Sequence, residues 1–167
     1  GLYRQIPRLF VLSDPLKNLF EPVRADALDY FRRNQITWWN DHGEGPTGHL
    51  LSSQIACLNH LFFLRDKQPL ASAVLNCISG ELIQAEMVDD GYVEFEVVGK
   101  QNYLGEKSHH RGANATSIDA LMVGRKRDGG NCLVMIEWKY TESYGGSYLG
   151  FSTSGTDRRK IYQHLFD

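Results

Sequence analysis

The sequence predicts an α/β domain with a mixed central sheet flanked by helices, on three observations. Apolar residues recur at a helical period through the first half of the chain, and the period falls to two near residue 92. Two strongly apolar runs then follow, joined by Lys126-Arg127-Asp128-Gly129-Gly130. Helices, then three strands, then a helix is the order expected of a layered α/β fold. At 167 residues a single domain is expected, with a helical part over 1–88 and a sheet core over 89–167.

The first helix is read from Val23 toward Trp38-Trp39, with Leu28, Phe31 and Trp38 near one face, and His42-Gly43-Glu44-Gly45-Pro46 breaks it. A second is expected from His49 to Leu64, where Leu51, Ile55, Leu58 and Phe62 are spaced 4, 3 and 4 apart. A third runs from Leu70 to Met87, with Val74, Ile78 and Leu82 at intervals of four, and Asp89-Asp90-Gly91 stops it. Tyr92 to Val98 reads as a strand with Val93, Phe95 and Val97 inward and Glu94 and Glu96 on a wet face. Ser117–Arg125 and Cys132–Tyr140 are apolar on both faces, so both strands are expected to be covered on both sides. A Gly, Ser and Thr-rich loop over Tyr144–Gly155 precedes a last helix from Thr156 to Phe166, capped by Ser154 or Thr156.

Lys and Arg total 18 against 20 Asp and Glu, a net charge of −2. That balance excludes a wholly basic coat for nucleic acid but not a local basic patch. No run is long and apolar enough for a membrane span, and no signal-peptide pattern opens the chain. Cys57, Cys77 and Cys132 are odd in number, widely spaced and set in apolar runs. They are expected to be reduced core residues of a cytoplasmic protein. The chain opens on Gly1 rather than methionine, so it also fits a piece of a longer protein.

The chemistry concentrates in Thr116–Val123 and Leu133–Tyr140, where Asp119, Glu137 and Lys139 sit at the ends of otherwise apolar strands. Buried charge is costly unless paired or bound to a metal. Glu137 and Lys139 share one strand face because side chains alternate. A three-residue loop Asp128-Gly129-Gly130 would set Arg127 opposite Asn131 and Asp119 opposite Lys139, with Glu137 diagonal. A two-residue loop would turn Asp119 to the other side. Two carboxylates about 5 Å apart repel by roughly 3 kcal/mol at an effective dielectric of about 20. A divalent cation removes that cost, and magnesium favours carboxylates, waters and phosphate oxygens. The set therefore points to metal-assisted phosphodiester hydrolysis. The alternative is an ordinary strand-end salt bridge between Glu137 and Lys139, with Asp119 capping a turn.

Asp119, followed 18 residues later by Glu137-Trp138-Lys139, resembles the signature of the PD-(D/E)XK nuclease superfamily, whose fold is restriction-endonuclease-like. The resemblance covers roughly Leu70 to Phe166. His49-Leu50-Leu51-Ser52-Ser53-Gln54 and Glu137-Trp138-Lys139-Tyr140-Thr141-Glu142 are similar to an uncharacterised prokaryotic branch of such proteins. Ile118 stands where the motif's name has proline. The resemblance implies a magnesium-dependent deoxyribonuclease, with manganese as substitute. Asp119, Glu137 and the Trp138 carbonyl would bind the metal, and Lys139 would assist the attacking water. A further acid often comes from the helix before the first core strand, for which Glu86 and Glu81 are the candidates. The alternative is an inactive nucleic-acid-binding or protein-interaction module on the same fold.

Around this core, Lys107 and Arg111, with Lys100, form a local positive patch, a candidate for phosphate contacts or a plain solvated surface. Arg158-Arg159-Lys160 at the last helix poses the same choice. His109-His110 reads as a polar loop, since neighbours in an extended chain point apart. Gln54 is expected to face solvent, the alternative being an approach to the active face. Trp38-Trp39 are expected in the core or at an interface rather than under a base. No phosphate-binding glycine loop is present. DNA is the expected partner, and a homodimer is one way to cut two strands.

Overall fold

The computed structural model describes residues 2–3, 6–39, 44–101, 104–106, 110–112, 115–140, 150 and 157–165. Two short strands, β1 (Leu2–Tyr3) and β2 (Ile6–Pro7), pair antiparallel at the start. Helix α1 (Glu21–Arg33) carries Pro22 in its first turn, where a missing N–H costs no hydrogen bond. It ends well before Trp39, because Gln35 takes a left-handed backbone (φ 54) and the Ile36 N–H turns back to the Phe31 carbonyl at 2.9 Å. Helix α2 (Ser53–Leu61) begins later than its apolar spacing implies: the Ser52 hydroxyl caps it by accepting the Ile55 N–H, and His49–Leu51 precede it as a turn. A 3-10 turn, Phe62–Leu64, continues it.

Helix α3 (Gln68–Ile78) stops at Ser79, whose backbone is extended, and the chain re-forms as strand β3 (Leu82–Glu86). The expected helix to Met87 is thereby corrected. Leu82 continues the four-residue spacing of Val74 and Ile78, yet it is buried by pairing with β5, and tertiary pairing outweighs the local period.

Strands β4 (Glu94–Val97), β5 (Ile118–Lys126) and β6 (Asn131–Ile136) complete the sheet. β5 is its spine, with β6 along one side and β3 and β4 following one another along the other. Among the described residues every pairing is antiparallel, so the sheet is not mixed. Among the described residues no helix lies between its consecutive strands, so the crossover that parallel pairing needs is not seen there.

Ala120 and Met122 of β5 turn to a core built with Tyr30, Phe31, Phe62, Leu75 and Phe95. Burying such side chains contributes about 1.5–3 kcal/mol each. On the other face Leu133 and Met135 of β6 are exposed, which corrects the expectation that both strands are covered on both sides. The cysteines are free thiols, but only Cys57 is buried; Cys77 is exposed and Cys132 half-buried. Among the described residues no helix is long and apolar enough to cross a membrane.

Candidate active site

The β5–β6 turn is three residues long, as expected, but it is Arg127-Asp128-Gly129. The Lys126 N–H closes it on the Gly130 carbonyl at 2.7 Å, and Gly129 takes the left-handed backbone (φ 88) that such a turn requires. Arg125 therefore pairs with Asn131 and Ala120 with Ile136. The expected register is corrected by one position on each strand, a shift that leaves every side chain on its face. Continued by one residue, the ladder sets Asp119 opposite Glu137 and makes Lys139 the diagonal neighbour. The Trp138 N–H donates to Asp119 Oδ2 at 2.6 Å, holding the two strand ends together. Lys139 is ion-paired with Glu137, both side chains being about half exposed.

On the other side of β5 stands a carboxylate that the sequence did not single out for the site. The rungs Phe95–Ala120 and Val97–Ile118 bracket Glu96 and Asp119. Glu96, Asp119 and Glu137 thus form a transverse row across three neighbouring chain segments. Glu96 is buried, 7% exposed, and its backbone is left-handed (φ 50), an uncommon state for a residue with a side chain. Gln54 Nε2 donates to its Oε1 at 2.9 Å, and Ser117 Oγ to its Oε2 at 2.7 Å.

The wet face expected for Glu94 and Glu96 is corrected by their partners. Glu94, 3% exposed, accepts Arg65 Nη1 at 2.9 Å and Tyr30 Oη at 2.6 Å, and lies 3.3 Å from Arg111 Nη2. Alternation alone cannot distinguish solvent from a buried donor supplied by a distant segment. Burial first, then the hydrogen bond to Glu94, pushes the Tyr30 hydroxyl up to about 12, so it remains a neutral donor.

Asp119 is the perturbed group. Burial raises its carboxyl to about 6; the Trp138 N–H opposes the rise, Glu137 and Glu96 add to it, and Lys139 lowers it again. The Cys57 thiol, pushed up first by burial and then by Asp119, Glu96 and Glu137, lies behind the same acids. Among the described residues no three His, Cys, Asp or Glu side chains gather closely enough to hold a metal ion between them.

Several expected site residues lie elsewhere. Glu86 is on β3 rather than a helix, opposite Val123 and ion-paired with Arg125. Val123 is four residues along β5 from Asp119, or about 13 Å, so the structure does not bring Glu86 to the site. Glu81 is an exposed residue of the turn before β3. Arg111 points inward: its guanidinium donates to Tyr30 Oη at 2.7 Å, to the Phe95 carbonyl, and to the Glu96 carbonyl at 3.2 Å. These bonds engage its guanidinium within the fold. Arg158, Arg159 and Lys160 are exposed on helix α4 (Arg158–Tyr162), where Arg159 pairs with Asp157 at 2.9 Å. His110 is exposed, and Lys107 and His109 lie outside the described residues.

Gln54 is buried rather than solvent-facing. The tryptophans part company: Trp38 is buried and stacked on Phe31 at 3.8 Å, whereas Trp39 is 48% exposed. Trp39, Gln54, Glu96, Ser117 and Asp119 line one cavity of about 450 Å3. Neither Gln54 nor Glu96 carries a local signal, because each is buried by a partner 42 residues away.

An antiparallel hairpin that presents acids and a lysine at one end, backed by helices, is compatible with a restriction-endonuclease-like α/β domain. Residues 4–167 match the family model described as restriction endonuclease associating with ARP. The chain belongs to that family. No curated protein matches it, and no solved structure does.

Proposed function

We infer that the protein is a metal-dependent endonuclease of the PD-(D/E)XK type, hydrolysing phosphodiester bonds of DNA. The observation that carries this reading is Asp119: a half-buried carboxyl between Glu96 and Glu137, raised to about 6, at the end of a strand that the Glu137-Trp138-Lys139 segment closes. The family match supports it.

The donors fit a divalent cation. They are hard oxygens in a corner with excess negative charge, and magnesium needs only one or two protein carboxylates. Asp119, Glu137 and the Trp138 carbonyl would hold magnesium, with manganese as substitute. When bound, the ion supplies charge compensation at the phosphodiester under attack. The chain's own groups do the positioning. The Trp138 N–H fixes the Asp119 carboxylate, and Gln54 and Ser117 fix Glu96 beside it. Lys139 presents a point positive charge that orients the attacking water and stabilises charge on the phosphate. The exposed Lys100, Arg158 and Lys160 are described candidates for backbone phosphates. The family's description makes ARP the expected protein partner.

Cleavage of DNA in magnesium should be lost with chelator and should fall about a hundredfold or more in Lys139→Ala. Equal rates for wild type and variant would remove Lys139 from the mechanism. A second reading, a binding module with structural acids, is favoured by one observation: Glu96, Asp119 and Glu137 each already accept a donor within the fold. Calorimetry with manganese separates the two, since only the nuclease requires binding that Asp119→Asn abolishes.

A further inference from the structure

The geometry points to a nucleobase pocket: the cavity beside Asp119 takes one unstacked base of the substrate strand against the indole of Trp39. This rests on the nuclease reading and goes beyond it by naming the form of DNA the site accepts.

The cavity, about 450 Å3, falls in the size range of pockets that enclose small organic ligands. One wall is aromatic: the Trp39 and His49 rings meet edge to face at 5.8 Å. Burial holds the His49 imidazole below its ordinary value, which favours an uncharged wall. Ser52 and Ser53 line another side, and Ser117 and Asp119 lie toward the sheet. Its described lining contains no lysine or arginine. Such a lining suits a flat ring with polar edges better than a phosphate, because bases stack on aromatic side chains whatever their sequence.

The position of Trp39 is also fixed relative to the acids. Its backbone N–H donates to Gln54 Oε1 at 2.9 Å, and Gln54 Nε2 donates to Glu96 Oε1 at 2.9 Å. Ser117 Oγ reaches Glu96 Oε2 at 2.7 Å from the segment that continues into Asp119. A chain of hydrogen bonds therefore ties the Trp39 backbone, which carries the half-exposed indole, to the strand bearing the acid. Trp38 fills the neighbouring core position on Phe31, whereas Trp39 lines the cavity beside His49. A base can enter such a pocket only when out of its helical stack. The preferred substrate is accordingly a strand with an unpaired nucleotide beside the cleaved phosphate.

The test uses the full chain and a single-stranded oligonucleotide containing 2-aminopurine, at low salt with chelator so that nothing is cut. Wild type should quench the probe, Trp39→Ala should abolish the quench and weaken binding about tenfold or more, and Trp39→Phe should restore most of both. Equal binding by wild type and Trp39→Ala, or no binding by wild type, overturns the pocket. Magnesium-dependent cleavage is read separately on the same preparation. A protein that stacks the probe but cuts nothing keeps the pocket and sinks the nuclease reading; one that cuts without stacking does the reverse.

Discussion

The side-chain amide of Gln54, at the start of α2, lies 2.9 Å from Oε1 of Glu96 in the middle of β4. That bond joins helix to sheet inside the protein and sets an acid next to Asp119. It also accounts for a glutamate held at φ 50. The strain persists because donors on two sides fix the carboxylate.

Removing that carboxylate strands its donors. Glu96→Ala should lower stability by about 1–3 kcal/mol, the cost of leaving buried polar groups unpaired. Glu96→Gln, which keeps the shape and one acceptor, should lose less. Urea denaturation of the three proteins at neutral pH measures the order.

Asp119 makes stability depend on pH. Its folded value, about 6, lies above the ordinary 3.8, so the folded chain holds a proton that the unfolded chain has released. Stability should therefore fall as pH rises from about 4 to 6. Because the carboxyl is only half-buried, solvent screening reduces the effect to about 1 kcal/mol. Asp119→Asn should match wild type near pH 4 and exceed it in stability at pH 8, as followed by denaturation at both.

Glu94 neutralises two guanidiniums, those of Arg65 and Arg111, beside the Tyr30 hydroxyl. Glu94→Gln should cost about 3–5 kcal/mol, the usual penalty for breaking a buried pair and leaving charge uncompensated. A thermal melt should show it, whereas Arg158→Ala, at an exposed position, should melt like wild type.

Gly112 has φ 74, and a Cβ there would lie 2.3 Å from the Thr37 carbonyl oxygen. The Thr37 N–H in turn donates to the Arg111 carbonyl at 3.0 Å. Gly112→Ala should thus push the two segments apart and cost about 2 kcal/mol, visible as a lower denaturation midpoint.

What the sequence revealed depended on range. Asp119, Glu137 and Lys139 were legible because one hairpin carries all three and strand alternation settles their faces, so a register wrong by one position on each strand left them together. Strand β3 was not legible, since Leu82 extends the helical spacing of α3 and only its pairing with β5 reveals otherwise. The burial of Gln54, Glu94, Glu96 and Arg111 was hidden for one shared reason. Each looks solvated until a partner from a distant segment is supplied.

The turn Arg127-Asp128-Gly129 also restricts how this hairpin can change length. Inserting or deleting a single residue there would swing Glu137 and Lys139 to the opposite side of the ribbon and scatter the acids. Adding or removing two would merely slide them along it. The loop is thus a parity lock: even-numbered indels displace the site, and odd-numbered ones dismantle it.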